Sequence, residues 1–137
     1  MRIRAIEKKD IGKLIKISKL GENWFNSHLN PLILILEEDD ELIAGIVAIK
    51  RDDFPKGFEK LPKKSIIVKE LLVDPQFMGK SYDKLIFSSF LDEVKGKIVY
   101  FCVKNDDEKW LKLLEFFDFL KVDELSLKDG AVYLWDE

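Results

Sequence analysis

The residues best suited to chemistry lie between Glu70 and Leu85, which read Glu-Leu-Leu-Val-Asp-Pro-Gln-Phe-Met-Gly-Lys-Ser-Tyr-Asp-Lys-Leu. The apolar, β-branched run from Ser65 to Val73 reads as a buried strand. Pro75 stops it, because proline has no N–H to give a ladder. Gly79 and Ser81 then open a helix whose apolar positions are Tyr82, Leu85, Ile86, Phe90 and Val94. A strand, a short loop and a helix start bring unpaired N–H groups and a partial positive charge to one place. Such a turn is a seat for a phosphate group. Lys80 and Lys84 add positive charge beside it, and Asp83 opposes them. At about 4 Å and an effective dielectric near 20, a carboxylate facing a phosphate charge costs on the order of 4 kcal/mol, less when solvated. Ser81 and Asp83 also carry a Cβ into space that glycine would leave open. The alternative is that Asp83 merely starts a helix on a surface that binds nothing.

The remaining reactive side chains are few. His28 is the only histidine and Cys102 the only cysteine. His28 reads as a surface histidine, with a substrate contact near the second helix as the alternative. Cys102, in an apolar strand, reads as core. This supply of ligands does not make a zinc site, and no Walker loop or Ser-His-Asp set is present. One cysteine excludes an internal disulfide and fits a reducing cytoplasm. The net charge of −3 argues against a nucleic-acid partner, which needs a basic face. No apolar run nears the roughly 20 residues that span a bilayer. Met1 to Glu7 lacks the apolar core of a signal peptide.

At 137 residues, 47% of them hydrophobic, the chain is expected to fold as a single domain over 1–137 with a substantial core. Arg2 to Ile6 alternates and reads as a strand. A helix follows from about Asp10 to Leu20, with Ile11, Leu14, Ile15 and Ser18 on one face. Gly21 is placed as its stop. Glu22 to Leu29 reads as a short helix or ordered loop. Leu32 to Leu36 and Leu42 to Lys50 form a hairpin around the acidic turn Glu38 to Glu41. Arg51 to Lys64, with two prolines and a glycine, is a loop. Its length makes it a surface insertion or, alternatively, a substrate-facing loop. After the central strand and helix, Gly96 ends the helix and Ile98 to Val103 is a strand. Asn105 caps a further helix with Trp110, Leu111, Leu114 and Phe117 on its apolar face. Val122 to Leu127 and Ala131 to Trp135 close the chain as a hairpin.

The resulting order, β-α-α-β-β-β-α-β-α-β-β, together with Val73-Asp74-Pro75 and the turn from Met78 to Asp83, resembles the GCN5-related N-acetyltransferases (GNAT). The family form is Val-x-Pro, two spacers, then Arg/Gln-Gly-x-Gly-x-Gly/Ala. Here Met78 stands at the Arg/Gln position, Ser81 at the second glycine and Asp83 at the last, so only Gly79 is kept. The resemblance implies an α/β fold of the α+β kind, with a mixed, mostly antiparallel sheet whose two parallel strands splay apart. It implies transfer of an acetyl group from acetyl-CoA, as co-substrate without metal, to a primary amine of a small molecule or peptide. The pyrophosphate would lie on the backbone of Gly79, Lys80, Ser81, Tyr82, Asp83 and Lys84, beside Met78. Leu71, Leu72 and Val73 would offer backbone groups to the pantetheine arm, and Asn105 belongs to the same coenzyme-binding set. Glu70 would be the base, its alternative being a strand glutamate paired with a lysine. Tyr100 lies where another group of the family carries its base, and with a pKa of about 10 it suits packing or orientation better. The family's tyrosine acid in the last helix falls on Leu114 or Lys112, and its Gly-Phe on Asp118-Phe119. A homodimer is compatible with the resemblance. The competing reading is a catalytically degenerate GNAT-fold module for ligand binding or protein interaction.

Overall fold

The structure, a computed structural model, describes residues 1–28, 31–54, 56–58, 60–104, 108–127 and 130–136. Its strands are β1 (Arg2–Ala5), β2 (Leu32–Glu38), β3 (Glu41–Ile49), β4 (Ser65–Val73), β5 (Ile98–Lys104), β6 (Leu120–Leu127) and β7 (Gly130–Asp136). Its α-helices are α1 (Ile11–Ile17), α2 (Glu22–Ser27), α3 (Tyr82–Glu93) and α4 (Glu108–Phe116). The strands form one seven-stranded sheet in the order β1-β2-β3-β4-β5-β7-β6. Every neighbouring pair is antiparallel except β4 and β5, which are parallel. A parallel pair needs a crossover, and α3 supplies it. The element order expected from the sequence is the order observed, and the sheet is mixed and mostly antiparallel, as expected.

Asp39 and Asp40 both take positive φ, 52° and 64°, which lets β2 turn tightly into β3. α3 and α4 cover one face of the sheet. Ile86, Phe87, Phe90 and Leu91 of α3 and Leu113 and Leu114 of α4 pack with Leu36, Ile46, Val68 and Phe101. Leu85, expected on the buried stripe, is 41% exposed, and Phe87 is fully buried instead. The sheet lies nearer the Phe87 side, where the ring meets Phe101, Phe117 and Phe119. On the other face α1 seats Leu14 against Ile33, Ile35 and Val47. Gly45 permits this approach, since a Cβ there would stand 3.0 Å from the Leu14 methyl. α1 ends at Ile17, earlier than the sequence suggested, and Gly21 (φ 86°) precedes α2 rather than closing α1. The 51–64 segment contributes Phe54, Phe58 and Leu61 to the cluster holding Ile67 and Tyr100. It is therefore packed onto the α1–α2 face.

The N-terminus is fastened by charge. Arg4 grips Asp10 through both terminal nitrogens, at 2.8 and 3.0 Å, and Glu37 at 2.9 Å through two further N–H···O bonds. Paired geometry of this kind strengthens each bond. Arg4 holds the Asp10 and Glu37 carboxyls down to about 2.

Candidate functional site

β4 and β5 pair only from Ser65–Ile98 to Val68–Phe101. Beyond Val68 the two strands part, and among the described residues β4 has no ladder partner on that edge. At the same point the register with β3 slips: Ala48 faces Val68, whereas Val47 faces Glu70. Lys69 is the extra residue of a β-bulge. A one-residue slip exchanges the faces of everything downstream. Ile66 and Val68 lie in the α3 cluster, and after the bulge Leu71 does so. Glu70 and Leu72 are turned toward α1, and Leu72 packs in the Leu14 cluster. Without the bulge, the Glu70 carboxylate would point into the apolar core under α3.

Instead it reaches the chain after α1. One oxygen accepts the Ser18 hydroxyl and the other accepts the Lys19 N–H at 2.7 Å. Ser18 Oγ in turn accepts the Leu20 N–H at 3.0 Å. The Glu70 carboxylate thus anchors the α1–α2 connection. Cys102 lies opposite, one residue past the end of the parallel pairing. Burial pushes its thiol up, and the charge of Lys69 works against that rise. His28 is half-buried, its ring stacked 4.0 Å from that of Trp24.

The other half of the site follows Val73. The Asp74 carboxylate accepts the Gln76 N–H at 3.0 Å and starts a single 3-10 turn at Pro75. The chain then passes through Gly79 (φ 84°) and Ser81 (φ 62°), both left-handed, into α3. A glycine adopts this conformation freely and a serine does so at a cost. A Cβ on Gly79 would meet nothing within 4 Å, so its open side is free for a ligand. The N–H groups of Tyr82 and Asp83 lie in the first turn, where a helix has no carbonyl to offer them. Asp83 Oδ1 accepts the Lys84 N–H at 2.9 Å, so one donor of that turn is already occupied by a carboxylate.

A hollow of about 210 Å³ opens over this turn, lined by Val73, Phe77, Met78, Gly79, the segment Ser81 to Lys84, and Lys109. The structure thus brings together Val73, Met78, Gly79, Ser81, Tyr82, Asp83 and Lys84, all singled out in the sequence. Lys80 is not part of the lining; its ammonium stands 6.0 Å from the Phe77 ring centre. The Lys84 ammonium lies 4.4 Å over the ring of exposed Phe116. Leu71 and Leu72 are core side chains, leaving only their backbone to the site. Asn105 lies outside the described residues. Leu114 is buried, Lys112 is exposed, and Asp118 takes φ 62°, a conformation that suits the glycine of the family pattern. A second hollow, about 420 Å³, lies beyond α4 and is rimmed by Glu115 and Asp118. Those carboxylates do not suit an anionic ligand.

Sequence reasoning missed two residues. Lys109, at the start of α4, brings a cation to the hollow from 25 or more positions along the chain. Ser18 was placed on an apolar helix face, and a polar residue there was itself a sign of a buried partner.

No family model and no curated protein matches the sequence. Solved structures do match. A Bacillus subtilis acetyltransferase in complex with CoA superposes with a TM-score of 0.76 at 13% identity, covering 99% of this chain and 98% of that one. The ribosomal-protein-S18-alanine N-acetyltransferase of Escherichia coli gives 0.74 at 13% identity, over 97% and 90%. A Salmonella typhimurium structure with its cofactor acetyl-CoA gives 0.70 at 16% identity, over 98% and 91%. At such identities the likeness is one of fold.

Proposed function

We propose that this chain is a cytoplasmic acetyltransferase that moves the acetyl group of acetyl-CoA to a primary amine of a small molecule or peptide. The observation that carries the reading is the parting of β4 from β5 beside the α3 turn, within a GNAT fold. The coenzyme fits the residues present. Tyr82 and Asp83 N–H groups, the open side of Gly79 and the cations of Lys84 and Lys109 would hold its pyrophosphate. The free β4 edge from Leu71 to Val73 would hold its arm through backbone groups.

Glu70 stands at the start of that free edge and is the group to take the proton of the attacking amine. A carboxylate has about four acceptor positions, and two are filled by Ser18 and Lys19. The nitrogen bonds to the acetyl carbon, and its proton passes to the remaining lone pairs of Glu70. A backbone N–H at Leu72 or Val73 would steady the oxyanion. The departing sulfur needs little help: a thiol has a pKa of about 8.5, so a thiolate leaves near neutral pH and collects its proton from water. This suits an α4 with no tyrosine between Glu108 and Phe116.

The test pairs calorimetric titration of coenzyme A with thiol release from acetyl-CoA. Glu70→Gln should lower turnover by roughly 10- to 1000-fold and leave coenzyme affinity unchanged. Unchanged turnover would remove Glu70 from the chemistry. The second reading, a module that has lost catalysis, is favoured by the Asp83 carboxylate on the Lys84 N–H. It takes the lead if the wild type binds no coenzyme.

A further inference from the structure

We infer that Ser18 is a positioning residue for Glu70 in amine acetylation, an inference that rests on the acetyl-transfer reading above. The hydrogen-bond directions around Ser18 follow from donor and acceptor types. Lys19 N–H donates to one oxygen of Glu70, and Leu20 N–H donates to Ser18 Oγ. An ionised carboxylate only accepts, so the Ser18 hydroxyl must give its proton to the other Glu70 oxygen. Ser18 is therefore both held by the turn it starts and committed as a donor.

Three constraints then act on one carboxylate. The bulge at Lys69 turns Glu70 to the α1 face. The Lys19 N–H fixes one oxygen, and the Ser18 hydroxyl fixes the other, which sets the plane of the carboxylate. Position 18 lies 52 residues from Glu70 and outside the coenzyme hollow. A change there should act on proton transfer without touching coenzyme binding. Removing the hydroxyl leaves Glu70 one remaining anchor, free to rotate about its last bonds. A group displaced in this way loses rate rather than affinity.

The experiment follows thiol release from acetyl-CoA with an alanine-initiated hexapeptide and with spermidine as acceptor probes. Ser18→Ala should lower kcat about 10-fold, the lower range for loss of a hydrogen bond to a charged group, with acceptor KM within about twofold. Ser18→Thr keeps the hydroxyl, and the extended backbone of residue 18 (φ −80°, ψ 144°) accepts a β-branched side chain. It should retain activity within about threefold of wild type. In a Glu70→Ala background, Ser18→Ala should have no further effect on kcat, because both changes act on one unit. Coenzyme affinity by calorimetry should be the same in all variants. Ser18→Ala with full kcat, or a rise in KM alone, would overturn the positioning role and leave the acetyl-transfer reading intact. Equal losses in Ser18→Ala and Ser18→Thr, matched by equal falls in melting temperature, would reduce Ser18 to a structural contact. A wild type that releases no thiol with either probe would overturn both.

Discussion

Replacing Asp83 should tighten coenzyme A binding, because under the proposed function this carboxylate stands where the pyrophosphate would lie. Its Oδ1 accepts the Lys84 N–H at 2.9 Å, one of the few donors that the first turn of α3 can present. Of the nearby cations, Lys80 stands away near Phe77, and Lys84 and Lys109 both line the hollow, the Lys84 ammonium lying over the Phe116 ring. Two unit charges about 4 Å apart at an effective dielectric near 20 repel by on the order of 4 kcal/mol. Asp83 is only half-buried, so solvent screening reduces this to about 1–2 kcal/mol, a factor of roughly 5 to 30 in affinity. Asp83→Asn removes the charge and keeps a side-chain oxygen for the Lys84 N–H. Asp83→Gly removes charge and Cβ and releases that N–H. If repulsion dominates, Asn recovers most of the gain, and the gain shrinks between 0.05 and 1 M salt, as the Debye length falls from above ~10 Å to ~3 Å. If the occupied donor and the Cβ dominate, only Gly tightens binding and salt matters little. Calorimetric titration of the three proteins at both salt concentrations decides. Binding unchanged in both variants would refute the argument that Asp83 competes for the anion seat.

Two further outcomes follow from the same structure. Ser81 holds φ 62° without being glycine, so Ser81→Gly should raise stability by about 0.5–1 kcal/mol, measured by urea unfolding, and also widen the coenzyme approach; a loss of stability would show that the strain is absent. Asp10 and Glu37 are held at about 2 by Arg4, below their ordinary values of 3.8 and 4.5, so their contribution is present above about pH 5 and lost as pH falls toward 2. For Asp10 alone it amounts to on the order of 1–2 kcal/mol. Arg4→Met should lower the melting temperature at pH 7 and flatten its decline between pH 5 and 2; an unchanged slope would assign acid sensitivity to other carboxylates.

Much of the fold was legible because its signals are local. Strand residues such as Leu32 to Leu36 and Ser65 to Val73 carry their own pattern, and Pro75, Gly79 and Gly96 break the chain where backbone geometry demands it. The order of elements then admits few arrangements, since a strand, helix, strand unit must cross over to a parallel neighbour. The turn proposed to seat the pyrophosphate was legible as a turn for the same reason: Gly79, Ser81 and the start of α3 are contiguous, and a helix terminus has its electrostatics wherever it lies. What tertiary structure alone decided was direction. Leu85 and Phe87 are both apolar, and only the placement of α3 on the sheet determined which one is buried. Glu70 sits in a strand whose alternation would send it under α3. The bulge at Lys69, a mismatch between β3 and β4 that neither strand encodes by itself, sends it to α1. Its partners Ser18 and Lys19 are distant in sequence, as Lys109 is from the hollow it helps to line. The spacing of residues along one segment determines which groups are available, and packing between segments determines which way they point.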